Sequence, residues 1–158
     1  MEIKRDLLLK RLIDLRHNGM IKVVTGMRRC GKSYLLFNLF TDALKAKGVD
    51  EENIVQINLE DRRNKSLRDP DKLLAYIDSR LKDNKMYYIL LDEVQLVNEF
   101  EDVLNSYLQV KNADVYVTGS NARFLSKDVI TEFRGRGLEI RVHPLSFSEI
   151  RGARPDEP

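Results

Sequence analysis

The chain has 158 residues, 42% of them hydrophobic, and its 27 lysines and arginines nearly balance 25 aspartates and glutamates, for a net charge of +2. That length supports one well-buried domain and is short for two, and the near-neutral balance excludes a general attraction to nucleic acid, leaving only a local basic patch open. The single cysteine, Cys30, excludes an internal disulfide, the charges scattered through MEIKRDLLLKRLIDLRHNG exclude a secretory leader, and the apolar runs fall well short of a membrane span, so the expected setting is soluble, reducing and cytoplasmic.

From Ile3 to His17, the residues Ile3, Leu7, Leu8, Leu12 and Leu15 share one helical stripe while Lys4, Lys10, Arg11 and Arg16 lie elsewhere. The pattern predicts an amphipathic helix packed on the domain, with a helix on a membrane surface as the alternative. Asn18-Gly19 ends it, and the β-branched run Ile21-Lys-Val-Val-Thr25 follows as a buried strand. Next comes Gly26-Met-Arg-Arg-Cys-Gly31-Lys32-Ser33, of the form G-x-x-x-x-G-K-[ST]. Lys32 to Lys47 then carries Leu35, Leu36, Leu39, Phe40, Ala43 and Leu44 at helical spacing. A strand, a glycine-bounded loop and a helix thus occur in the order that the motif requires.

A second strand is predicted over Ile54 to Leu59, and Asp69-Pro70 opens a helix over Leu73, Leu74, Ile77 and Leu81. Met86-Tyr-Tyr-Ile-Leu-Leu91 is the most continuous apolar run and predicts an interior strand, with Tyr87 and Tyr88 as packing residues. An amphipathic helix over Glu99 to Val110, a strand over Val115 to Thr118 and a last strand over Leu138 to Val142 complete the series. Strands separated by helices of this length need crossover connections, so the sheet is expected to be mainly parallel with helices on both faces. Residues 1–150 form the domain, with the first helix in 1–18 and the sheet and its helices in 19–150; Arg151 to Pro158 is a polar tail.

The loop chemistry is that of phosphate. Gly26 and Gly31 let the backbone curl so that successive N–H groups point at phosphate oxygens, and the N-terminus of the following helix reinforces that field. Lys32 supplies a mobile positive charge to the β- and γ-phosphates, and the Ser33 hydroxyl suits Mg²⁺. The candidate nucleotide-binding residues are therefore Gly26, Met27, Arg28, Arg29, Cys30, Gly31, Lys32, Ser33 and Tyr34; a plain turn before a surface helix is the bland alternative. Arg28 and Arg29 exceed what phosphate needs and are read either as partner contacts or as solvated side chains. Cys30 is either a small filler or an oxidisable thiol. With His17 and His143 as the only histidines, no zinc site is expected.

Asp92-Glu93 closes the apolar run, which delivers two acids to the C-terminal edge of a strand, where open α/β sheets bind ligands. There Asp92 can orient Mg²⁺ and Glu93 can polarise a water for in-line attack; two solvated acids are the alternative. Thr118-Gly-Ser-Asn121 presents small polar groups at another strand end, with Ser120 and Asn121 as candidate sensors of the γ-phosphate or as simple helix caps.

These residues resemble the AAA+ superfamily, and within it a bacterial and archaeal group of ATPases that carry a helical lid and a C-terminal domain after the ATPase core. The resemblance rests on Lys4-Arg5-Asp6, Thr25 to Leu36, Ile57-Asn-Leu-Glu60, Leu90-Leu-Asp-Glu-Val-Gln95, Thr118 to Asn121, Gly135-Arg136 and His143-Pro-Leu-Ser-Phe-Ser-Glu149. It implies a three-layer P-loop α/β fold with five strands in the order 5-1-4-3-2, Asp92 and Ser33 at Mg²⁺, and Glu93 with Lys32 in catalysis. It also implies an arginine that reaches a neighbouring subunit's γ-phosphate: Arg136, with Arg134 and Arg123 as competitors and an ordinary ion pair as the alternative. Related chains continue into the lid, so this one is expected to be a truncated core in which hydrolysis is slow.

The leading functional expectation is Mg²⁺-dependent binding and hydrolysis of ATP, coupled to conformational change in an attached domain or partner, with ATP as the family-based nucleotide. A nucleotide-gated switch with little turnover is the alternative, and a P-loop small-molecule kinase a weaker one, because a carboxylate placed to activate water would waste the nucleotide. The expected partners are ATP and ADP, a second copy through Arg136, and a protein partner or the missing C-terminal domain. A nucleic-acid partner has no support from charge, and none is expected in a membrane.

Overall fold

The five stretches predicted as strands all become strands of one sheet. A computed structural model of the chain describes residues 2–26, 31–120 and 136–142. Its strands are β1 (Ile21–Thr25), β2 (Ile54–Asn58), β3 (Tyr87–Asp92), β4 (Ala113–Gly119) and β5 (Gly137–Arg141). They form one five-stranded sheet in the order β2-β3-β4-β1-β5, the order expected from the resemblance, and every neighbouring pair is parallel. Crossovers are made by α2 (Lys32–Tyr34), a π-helical segment (Leu35–Phe40) and α3 (Thr41–Ala46) after β1, by α4 (Pro70–Arg80) after β2 and by α5 (Phe100–Ser106) after β3, while α1 (Glu2–Asp14) precedes the sheet.

The two-residue period of the strands divides the core into two clusters. Ile89 and Leu91 of β3 pack with Val23, Val115 and Val117 against Leu73 and Ile77 of α4 and Phe100, Val103 and Leu104 of α5. Tyr88 and Leu90, from the same strand, pack with Val24, Tyr116 and Ile140 against Leu12 of α1 and Leu35, Leu36, Phe40 and Leu44. With helices on both faces, the interior strands β1, β3 and β4 are buried from both sides, as is usual in parallel sheets. Among the described residues, no helix is long and apolar enough to cross a membrane.

Three details depart from the sequence pattern. Leu7 is 66% exposed, whereas Leu9 and Ile13 pack on the core beside Leu8, Leu12 and Leu15; the buried arc of α1 is rotated toward that pair, and Leu7 falls on its far side. The helix also stops at Asp14 and not His17, because His17 adopts a left-handed backbone with φ 61 and donates its N–H to Asp114 Oδ2 at 3.1 Å. Asp114 is held in turn by Lys22, whose ammonium lies 4.7 Å from the centroid of the Tyr116 ring. Burial pushes Lys22 below its ordinary value, and Asp114 offsets only part of that.

The helix after the loop is the second departure. It widens into a π-helical run over Leu35–Phe40, which turns Phe40 and Thr41 inward while Leu39 stays half-buried. The third is α5, which ends at Ser106, where the Ser106 hydroxyl donates back to the Val103 carbonyl at 2.5 Å and the Tyr107 N–H tightens onto Leu104 at 3.0 Å. Such local bonds compete with continuation of a helix.

The start of α4 follows the sequence expectation. Asp69 is its N-cap and accepts the Asp71 N–H at 2.9 Å, with Pro70 in the first turn. Asp69→Ala is expected to lower stability by about 1 kcal/mol, the typical worth of such a cap. The urea midpoint of unfolding measures this, and an unchanged midpoint would contradict it.

Candidate active site at the carboxyl edge of the sheet

The site gathers at the C-terminal ends of β1, β4 and β3, which lie side by side. Strand β1 delivers Thr25 and then Gly26, whose φ of 153 favours glycine, and Gly31 at the far end of the loop has φ 92 and ψ 11, the left-handed conformation, and caps α2. The loop is thus bounded by two residues whose backbone a side chain would strain. Its root is tied to the neighbouring strand by the Thr25 hydroxyl, which donates to Glu139 Oε2 at 2.6 Å. Met27, Arg28, Arg29 and Cys30 lie outside the described residues, as do Asn121, Arg123, Arg134, His143 and the tail 151–158.

The first turn of α2 carries two side chains onto the acids that end β3. Lys32 is 3% exposed, and its ammonium donates to Glu93 Oε2 at 3.1 Å. The Ser33 hydroxyl lies 2.8 Å from both carboxylate oxygens of Asp92. Asp92 and Glu93 are themselves buried, at 3% and 4% exposure. Charges taken this far from water must be paired and hydrogen-bonded. Tyr34, next along, is 58% exposed.

Glu93 is unusually constrained. Its backbone sits at φ 56 and ψ 52, a left-handed conformation costing about 1–3 kcal/mol for a residue with a side chain. Ser120 donates to its Oε1 at 2.6 Å, and Gln95 Nε2 donates to the same oxygen at 2.6 Å. Burial alone would raise this carboxyl, but the bonds from Gln95 and Ser120 and the charge of Lys32 outweigh it and hold the group below the ordinary carboxylate value. The carboxylate is therefore ionised at neutral pH, with both oxygens engaged.

Two participants escape the sequence patterns. The Thr118 hydroxyl donates to Asp92 Oδ1 at 2.5 Å and accepts the Glu93 N–H at 2.8 Å, and Gln95 completes the shell around Glu93 while its own Oε1 is buried with no hydrogen-bond partner among the described residues. Thr118 shares its alternation with Tyr116, so the signal exists in β4, but its meeting with Asp92 depends on cross-strand register. Lys32, Ser33, Asp92, Glu93 and Ser120 are brought together. Arg136 is exposed and precedes β5, where its carbonyl accepts the Ile21 N–H at 2.8 Å. That is the amino edge of the sheet, a strand length or roughly 17 Å from the loop of the same chain.

A parallel sheet with a glycine-bounded loop on one interior strand and an acid pair on another defines a P-loop nucleoside triphosphatase fold. The sequence model of the AAA domain family matches residues 18–151, and the chain belongs to this family of P-loop ATPase cores. It is 35% identical over 153 residues to an uncharacterised protein of Haemophilus influenzae, covering 96% of this chain and 38% of that one. An uncharacterised protein of Methanocaldococcus jannaschii is 33% identical over 132 residues, covering 82% of this chain and 28% of its own length. The chain thus spans well under half of each relative. Among solved structures, AMPPCP-bound DnaA from Aquifex aeolicus superposes with a TM-score of 0.58 at 14% identity, covering 92% of this chain and 48% of the other, a likeness of fold. Family membership suggests nucleotide binding and hydrolysis.

Proposed function

We propose that the chain binds Mg·ATP in the loop from Gly26 to Ser33 and hydrolyses it. The observation that carries this reading is the convergence of Lys32 on Glu93 and of Ser33 on Asp92 at one sheet edge. Ser33 and Asp92 offer hard oxygen donors side by side, a set that suits Mg²⁺, which takes one or two protein oxygens and fills its other positions with phosphates and water. The ion, when bound, would neutralise charge on the phosphoryl oxygens. Lys32 binds the β- and γ-phosphates, exchanging Glu93 for them. Glu93 accepts the proton of the attacking water, while Ser120, with Asn121, senses the γ-phosphate. The bound AMPPCP of the DnaA structure supports ATP as the nucleotide.

The relatives extend far beyond the matched region, which supports a coupling of nucleotide state to conformational change in an attached domain or partner. Arg136, remote from the loop of its own chain, suits a role across a subunit boundary, where an arginine finger contributes roughly 10³ to 10⁵ in rate. One observation favours the second reading, a nucleotide-gated switch with little turnover: both oxygens of Glu93 are engaged by Lys32, Ser120 and Gln95, so the resting base is blocked. The test is phosphate release from Mg·ATP per chain across a wide range of protein concentration, with Glu93→Gln as blank. A rate above the blank is expected, rising with concentration if Arg136 acts in a neighbour. A rate equal to the blank, with Mg·ATP bound, would favour the switch.

A further inference from the structure

Thr118 is fully buried, ends the apolar part of β4, and lies in register with Val24, two residues before the loop begins. A threonine hydroxyl has one hydrogen and two lone pairs. The Glu93 N–H can only donate, so at 2.8 Å the Thr118 oxygen must accept it, and the single hydroxyl hydrogen is then left for Asp92 Oδ1, 2.5 Å away. Branching at Cβ limits the rotamers that this side chain can take. One rigid group therefore fixes two things: the direction of the Asp92 carboxylate, whose oxygens face Ser33, and the N–H of a residue held at φ 56.

Resting on the hydrolytic reading above, we infer that Thr118 is a positioning residue that serves both acids of the site, setting Asp92 for the metal ion and the Glu93 backbone for water activation. Neither acid is aimed independently. Loss of the hydroxyl removes the bond that β4 gives to Asp92, leaving Ser33 to hold that carboxylate, and takes its partner from the strained Glu93 peptide, while the binding of phosphate by Lys32 is untouched. Partners of this kind behind metal ligands are worth about 10- to 100-fold in metal affinity or activity.

The variants Thr118→Val, which keeps the shape and removes the hydroxyl, and Thr118→Ser, which keeps the hydroxyl and removes a methyl, separate positioning from packing. Two quantities are read for each and for wild type: kcat for phosphate release at saturating Mg·ATP, and the Mg²⁺ concentration giving half-maximal binding of a fluorescent ATP analogue. The valine variant is expected to lose at least tenfold in kcat and to need at least tenfold more Mg²⁺, with the serine variant within about threefold of wild type in both. A valine variant within threefold of wild type in both, or a serine variant that falls as far as valine, overturns the inference. If Glu93→Gln releases phosphate as fast as wild type, the hydrolytic reading fails by itself, and the Mg²⁺ midpoint alone then decides for or against Thr118.

Discussion

Alanine at Lys32 is expected to abolish tight binding of Mg·ATP. The ammonium is buried at the first turn of the helix that follows Gly31, and it is the charge that the phosphates would meet in place of Glu93. Each hydrogen bond from a charged donor is worth about 1.5–3 kcal/mol net, so losing contacts to both the β- and γ-phosphates should weaken binding by a hundredfold or more. Removing one member of a buried ion pair usually destabilises a protein by about 3–5 kcal/mol. Here the penalty should be smaller, because Glu93 keeps its bonds from Ser120 and Gln95, and far-ultraviolet circular dichroism should report a folded chain. Titration calorimetry decides the matter: an affinity equal to wild type would sink the assignment of this loop as the phosphate site.

The fold was legible because its signals are local. The run from Ile21 to Thr25, the glycines that bound the loop, the interior strand ending in Asp92 and the Asp69-Pro70 cap each state their own conformation. Spacing between them is enough to demand crossovers, and the observed order of strands is the one that the resemblance implied. The rotation of α1 toward Leu9 and Ile13 was not legible, since a helix with leucines around more than half of its surface leaves the choice of face to whatever packs on it. The widened turn at Leu35–Phe40 answers to a similar tertiary demand, the burial of Phe40 and Thr41 together.

Much the same division holds at the site. Lys32 and Ser33 are read from the loop, and Asp92 and Glu93 from the end of an apolar strand, but the groups that hold the acids in place come from register and from turn geometry. Thr118 meets Asp92 only because β4 lies beside β3, with Leu91 opposite Val117. Gln95 meets Glu93 because the left-handed backbone of Glu93 folds the chain back on itself. Arg136 shows the converse: its place in the sequence suggests a finger, while its place at the amino edge removes it from the loop of its own chain.

Glu93→Gln should remove turnover and keep, or strengthen, nucleotide binding. Loss of a general base costs about 10² to 10⁴ in rate, and phosphate release should fall by that factor at saturating Mg·ATP. The site is built to tolerate the change. The new amide can turn its oxygen toward the Lys32 ammonium and its nitrogen toward the Ser120 hydroxyl, which can accept. Gln95 donates to the carboxylate through Nε2 and leaves Oε1 buried with no partner among the described residues, so a flip of its amide offers the new nitrogen a second acceptor. Affinity should rise, because an ionised carboxylate 3.1 Å from Lys32 competes with phosphate for the ammonium, whereas an amide oxygen competes weakly. A calorimetric titration paired with a phosphate-release assay reads both quantities on one preparation. Undiminished release would remove Glu93 from catalysis and move the search for the base to another group, whereas a loss of binding equal to the loss of rate would mean that the carboxylate holds the metal and does not activate water.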